Sequence, residues 1–174
     1  MIPRRPIEAL LIAALLLPLA AGALESDGDQ PVNIEADNAV MDDTEGVAVY
    51  EGEVVVTQGS IRILADKLTV YMDDDKALQR VTAFGNPAEF RQLPDDAEEY
   101  IRANAKFMEY LEPQDLLNLK TEAVINQGKD RFSGDKITYN TKLHRVTARG
   151  SKEKDKRVRI TFQPGKKGDG DKKE

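Results

Sequence analysis

Between residues 31 and 162, apolar and polar positions alternate along the chain. Val32, Ile34 and Ala36, then Leu68, Val70 and Met72, then Ile137 and Tyr139, and finally Val158, Ile160 and Phe162, fall on every second position. A period of two is the signature of a strand with one buried face. Lys67, Thr69 and Tyr71 interleave the second set and Arg157, Arg159 and Thr161 the last. Their faces turn toward water, which predicts antiparallel sheets. Residues 95–111 also admit a helix, but Ile101, Ala103, Phe107 and Tyr110 fit a strand with a bulge, and strand is the reading adopted.

A repeat underlies the alternation. Ala36-Asp37, Ala65-Asp66, Ala103-Asn104 and Gly134-Asp135 recur at intervals of roughly 30 to 40 residues. Each pair precedes a strand (residues 39–41, 68–72, 107–111 and 137–140), a polar turn and a second strand (residues 47–50, 81–84, 116–119 and 146–149). Gly52, Gly85 and Gly150 close three of the second strands, where a turn calls for positive φ, and Thr121 stands in the fourth. Four units of paired short strands predict an elongated stack in which each unit buries its apolar face on its neighbour. The alternation also slips at these pairs: Ile61 and Ile63 lie in one register, Leu68, Val70 and Met72 in the other. A slip of one residue is a bulge or corner, and repeated corners curl sheets around a groove. The expected fold is all-β, an elongated antiparallel β-jelly-roll with twisted, V-shaped, groove-forming sheets.

The ends of the chain differ from this body. Arg4 and Arg5 precede an apolar run over residues 7–21, and Ala21, Gly22 and Ala23 supply small residues for cleavage. The run is about 15 residues and contains Pro18, short of the roughly 20 that a membrane span needs. No cysteine follows to carry a lipid anchor. The expected organisation is a cleaved signal peptide over residues 1–23, a flexible N-terminus over 24–30, the β-domain over 31–163 and a disordered, charged tail over 164–174. Such a protein works in the periplasm.

Charge and composition narrow the chemistry. The 174 residues carry 31 Asp and Glu against 25 Lys and Arg, a formal charge of −6. Phosphate-backbone recognition needs a basic footprint, so no nucleic-acid partner is expected. Without cysteine, and with His144 as the one histidine, thiolate zinc sites, iron-sulfur clusters and cysteine nucleophiles are excluded, and no metal or cofactor is expected. No Gly-x-Ser-x-Gly elbow accompanies the few serines. His144 falls in a turn over residues 141–145. The carboxylate clusters Asp42-Asp43, Asp73-Asp74-Asp75 and Asp95-Asp96 fall at turns and lack the glycine and terminal Glu of an EF-hand loop. Gly165-Lys166-Lys167-Gly168 lacks the spacing and the Ser or Thr of a phosphate loop. The chain is read as a binding protein, not an enzyme. Edge strands are usually blunted. Here the terminal strands, with Val32, Ile34 and Ala36 at one end and Val158 and Ile160 at the other, are regular, and only Arg157 and Arg159 guard them. They are the expected interface of a head-to-tail oligomer with other copies of the chain, an arrangement that does not close on itself.

Several ordered motifs resemble a known family. Gln30-Pro31-Val32-Asn33-Ile34-Glu35-Ala36-Asp37, Val56-Thr57-Gln58-Gly59, Asn86-Pro87-Ala88 and Gly134-Asp135-Lys136-Ile137-Thr138-Tyr139 are similar to the OstA-like family of periplasmic lipopolysaccharide-transport proteins. The resemblance covers nearly all of residues 30–162. It implies a β-jelly-roll that holds lipopolysaccharide acyl chains in a hydrophobic groove. It also implies two partners, an LptC-type periplasmic component of an inner-membrane transporter and the N-terminal domain of an LptD-type outer-membrane translocon. Energy for transport would come from an ATPase in the transporter complex. Carried over by position, the groove entrance falls on Val32 and Ile34, and inner aromatic positions on Phe90 and Tyr110. Leu68, Val70, Met72, Ile125, Ile137, Tyr139 and Phe162 join the lipid-binding set from alternation alone, where plain core packing is an equal reading. Glu112, after Tyr110-Leu111, stands where the family pattern more often has an apolar groove residue. Residues 152–159 could meet lipid phosphates, but a solvated basic strand is the simpler account.

Two rivals remain at this point: a periplasmic glycan-active enzyme using a carboxylate pair on a β-scaffold, and a membrane-anchored inner-membrane paralogue that keeps its N-terminal segment.

Overall fold

Antiparallel pairing of long strands accounts for most of the described residues. The computed structural model describes residues 27–95, 97–151 and 157–163. The expected signal peptide (1–23) and charged tail (164–174) lie outside the described residues, as do Asp96 and most of the basic segment over 152–159. The strands are β1 (Asn33–Glu35), β2 (Asn38–Asp42), β3 (Val47–Gln58), β4 (Ile61–Met72), β5 (Leu78–Gln92), β6 (Ile101–Leu111), β7 (Leu116–Gln127), β8 (Asp130–Asn140), β9 (Arg145–Arg149) and β10 (Arg159–Thr161). They form one ten-stranded sheet in the order β1-β3-β4-β5-β6-β7-β8-β10, with β2 also on β3 and β9 also on β8. Residues 101–111 are therefore strand, as the bulged reading expected.

The repeat is real, but its units are not pairs of short strands. β3 to β8 run 11 to 15 residues each, straight through Gly52, Gly85 and Thr121. These residues do not close strands; they sit at interruptions of the register inside them. The breaks fall between Glu51 and Val54, Leu64 and Lys67, Phe84 and Ala88, Asn104 and Phe107, and Lys120 and Ala123. Gly52 (φ +81°) and Thr121 (φ +64°) take left-handed backbone there, while Gly85 does not. Alternation marks where a strand bends but cannot tell a bend from an end, because both put one residue out of step. Each strand thus has two halves that belong to two facing arms. At the first edge the division is complete: β1 pairs the far half of β3 and β2 the near half, and Asp37 N–H donates to Gly52 O at 3.0 Å where they part.

Turns join the strands at two lips. On one lip Asp42 Oδ1 accepts from the amides of Thr44 and Glu45 at 2.9 and 3.0 Å, and Asp73 Oδ1 from those of Asp75 and Ala77 at 3.0 and 2.9 Å. The acidic clusters there are turn builders, short carboxylates that bond backbone a few residues ahead. On the other lip, within the segment expected to be flexible, Asp27–Asp29 forms a single 3-10 turn. Asp27 accepts from Ser60 N at 2.5 Å and Ser60 Oγ at 2.7 Å, and Gln58 Nε2 donates to the carbonyls of Gly28 and Gln30.

Directly opposed residues on adjacent strands line up in rows across the sheet. One inward row runs Ile34, Val56, Ile63, Phe90, Ala103, Ile125, Phe132, Ile160. On the other arm a row runs Ala39, Tyr50, Leu68, Ala83, Met108, Leu119, Ile137, Ala148. The core lies where these rows meet, and non-directional burial of this apolar surface is what holds the arms together.

Candidate functional site

Between the arms lies an apolar trough of about 820 Å³. Residues from both halves of β4 line it, Ile61 and Ile63 from one arm and Leu68, Val70 and Met72 from the other, so the corner in β4 wraps the strand around the space. Val32 and Ile34 stand at its N-terminal mouth, and Phe90 and Tyr110 farther along. Seven of the residues singled out from sequence therefore border one cavity.

The others do not. Ile125 and Ile137 are fully buried and Tyr139 is 1% exposed, packed in the core against neighbours such as Leu119 and Ile101. They are packing residues in this conformation, part of the buried apolar cluster instead of the trough wall. The trough reaches Met108 and Tyr110 on β6 and Leu117 on β7, and Ile125, Ile137 and Tyr139 stand outside its lining. Phe162 is exposed (63%) and packs perpendicular to Phe132, at 5.7 Å between ring centres. It lies just past β10 and caps a sheet edge. Tyr50, Ile63, Val81, Met108 and Leu117 also line the trough and were not singled out. Each lies in an inward row, but only the pairing register assigns them to the trough.

The rim is polar. Lys76, tied to Asp43 at 2.7 Å, Glu112 and Lys142 border the trough at one lip, and Asp27 and Asp95 at the other. Glu112 belongs to a 3-10 turn, Glu112–Gln114, and this explains a charge at a position where an apolar residue was expected. A second recess of about 520 Å³ holds Glu98, Glu99 and Ile101 from one lip and His144 from the other. His144 borders both spaces, and its Nδ1 is 3.1 Å from the Tyr139 hydroxyl. Burial pushes the Tyr139 phenol up to about 12. Tyr110 is raised by burial and then by the charge of Asp115.

At both ends the sheet stops at short strands. The expected terminal strands are shorter than alternation suggested, so Val32, Ala36, Val158 and Phe162 flank β1 and β10 instead of belonging to them. Among the described residues β1 and β2 pair only β3, and β9 and β10 pair only β8. Among the described residues, too, no helix is long and apolar enough to cross a membrane.

Fold and site together define an antiparallel β-jelly-roll bent around a one-sided apolar trough, with open strand edges at both ends. The chain belongs to the LptA/(LptD N-terminal domain) LPS transport protein family, whose model matches residues 33–145. It is 38% identical over 162 residues to the lipopolysaccharide export system protein LptH of Pseudomonas aeruginosa, covering 90% of this chain and 92% of that one. To the lipopolysaccharide export system protein LptA of Escherichia coli K12 it is 34% identical over 158 residues, 89% of this chain and 84% of that one. The crystal structure of LptH from Pseudomonas aeruginosa, the LptA-homologous periplasmic component of the conserved lipopolysaccharide transport device, matches with a TM-score of 0.72 at 33% identity. That match covers 80% of this chain and 100% of that one. The family is one of transport proteins, not enzymes, and the glycan-active rival is set aside.

Proposed function

We propose that the chain is a periplasmic lipopolysaccharide carrier, sheltering acyl chains in the trough while sugars and phosphates stay in water above the lips. The observation that carries this reading is the trough itself, apolar within, polar at the rim and open along one side, in a chain of this family. Exposing one chain of a dozen carbons costs on the order of 10 kcal/mol at about 0.8 kcal/mol per methylene, so the lipid cannot cross water bare. Aliphatic and aromatic walls bind without directional bonds, which lets a chain slide. Val32, Ile34, Phe90, Tyr110, Leu68, Val70 and Met72 are the contacts, and transit past the buried Ile125, Ile137 and Tyr139 requires the lips to part.

The open edges of β1 and β10 would join copies head to tail, prolonging the trough. The same edges would receive an LptC-type component at one end and the N-terminal domain of an LptD-type translocon at the other. The working form would begin after Ala23, and mass spectrometry of the exported protein finding an intact N-terminus would restore the anchored-paralogue reading.

A photocrosslinker at Ile34 or Phe90 is expected to trap lipopolysaccharide. Trapping only at exposed control positions, with none at these two, would overturn the proposal. Small-angle scattering is expected to give a mass that grows with concentration, and Ile160→Pro, which removes a backbone donor from an edge strand, is expected to abolish that growth.

A further inference from the structure

The outer surface of the sheet carries a second feature aligned with the trough. Thr57, Arg62, Arg91, Arg102, Asn126 and Arg131 are directly opposed on successive strands, so four arginines lie in one row across β4, β5, β6 and β8. At about 4.8 Å between strands the row spans roughly 19 Å along the sheet. It runs one residue in from the lip. Ile61 and Gln92 face into the trough, while their neighbours Arg62 and Arg91 face out at the same edge.

No ion pair among the described residues balances this charge. Like charges placed directly opposite destabilise a sheet, and among the described residues none of the four arginines stands in an ion pair. Asp130, beside Arg131 in sequence, accepts instead from the Gln163 amide at 3.1 Å, and neither it nor Asp66, Glu89, Asp95, Glu98 or Glu99 stands in an ion pair with the row. Instead the Tyr100 ring lies against two of the guanidinium groups, 4.8 Å from that of Arg91 and 5.3 Å from that of Arg102. Arg131 Nη1 donates to Asn126 Oδ1 at 3.2 Å. Arg91 Nε is shielded from solvent with no hydrogen-bond partner among the described residues. A buried donor left unpaired is costly unless a ligand completes it. The guanidinium fork matches phosphate geometry and donates two parallel hydrogen bonds to its oxygens.

We propose that this row is a rail for the phosphate groups of the lipid whose acyl chains lie in the trough. The proposal rests on the carrier reading above and adds an orientation to it: the phosphorylated head leans over the lip formed by the β3–β4, β5–β6 and β7–β8 turns. As chains slide along the trough, a phosphate passes from one guanidinium to the next at strand spacing. Local attraction at this lip operates despite the overall charge of −6, because screening confines charge effects to roughly 8 Å in physiological salt.

The test compares the full chain with a variant carrying Arg62→Gln, Arg91→Gln, Arg102→Gln and Arg131→Gln, using bisphosphorylated hexa-acyl lipid A and the same lipid stripped of phosphate. The unchanged protein is expected to prefer the phosphorylated lipid, with an affinity that falls as salt rises. The variant is expected to lose tenfold or more of that affinity while binding the stripped lipid as before. Four Arg→Lys changes should give an intermediate value, since charge is kept and the fork is lost. Equal binding of both lipids by the unchanged protein, or an equal loss of both in the variant, would overturn the rail and leave the carrier standing. Binding of neither lipid would overturn both. Should the Gln variant fail to fold, the salt dependence of the unchanged protein toward the two lipids decides alone: the same slope for both overturns the rail.

Discussion

Tyr139 and His144 meet at the end of β8, the phenol oxygen 3.1 Å from His144 Nδ1. A side chain buried in the core is thus held at its polar tip by a residue of the rim. Burial of the ring with a single polar contact at its edge is what raises the phenol.

Alkaline stability follows from this pair. The folded Tyr139 titrates near 12 against an ordinary value of 10.0, so the neutral form is favoured by folding. Its contribution is intact below pH 10 and is lost as pH rises from 10 through about 12, a total of about 2 to 3 kcal/mol. Urea unfolding across that range is expected to show the decline, and Tyr139→Phe to flatten most of it. A remainder persists because Tyr110 is shifted in the same direction. A decline of unchanged size in Tyr139→Phe would refute the assignment.

Phe90 and Ile125 lie in the same inward row, two strands apart, one lining the trough and one buried in the core. Ile125→Ala is expected to cost about 2 to 5 kcal/mol of stability, as cavity-forming core changes do. Phe90→Ala is expected to cost less than about 2 kcal/mol, because part of the ring already faces open space, yet to weaken lipid capture far more. Chemical denaturation and lipid binding on both variants check the contrast.

Asp27 pins the N-terminal turn to the lip through Ser60, whose Oγ also accepts from Leu93 N at 2.8 Å. Asp27→Ala is expected to cost about 1 to 2 kcal/mol, the range for a lost charge-assisted contact to backbone. Hydrogen exchange at the Ser60 amide should rise with it. Unaltered exchange there would mean the turn is held by other contacts.

Thr121 and Glu122 hold φ of +64° and +58° at the corner of β7, a conformation poorly suited to a β-branched residue. Thr121→Asn keeps a polar side chain and tolerates this backbone, and is expected to stabilise by about 0.5 to 1 kcal/mol in thermal or urea unfolding. A loss of stability would show that the threonine makes a compensating contact.

Much of the architecture was legible residue by residue. Alternation located the strands, and the slip between Ile63 and Leu68 located a corner of the trough. As trough residues, Leu68, Val70 and Met72 were legible from alternation, whereas Val32, Ile34, Phe90 and Tyr110 came from the family resemblance. Strand length was not legible, since Gly52 and Thr121 look the same at a bend as at a turn. Nor could alternation separate Phe90 from Ile125: both are simply inward.

The sequence by itself determined the strands, their buried faces and the positions where they bend, because side-chain direction along a pleated strand depends only on neighbouring residues. The tertiary structure alone decided which inward residues line the trough, such as Phe90 and Tyr110, and which are buried in the core, such as Ile125 and Ile137, and that four arginines spread from position 62 to position 131 share one row. Those facts depend on which residue stands opposite which across strands and on how closely two arms approach. Both are set by long-range pairing and packing, which no local pattern records.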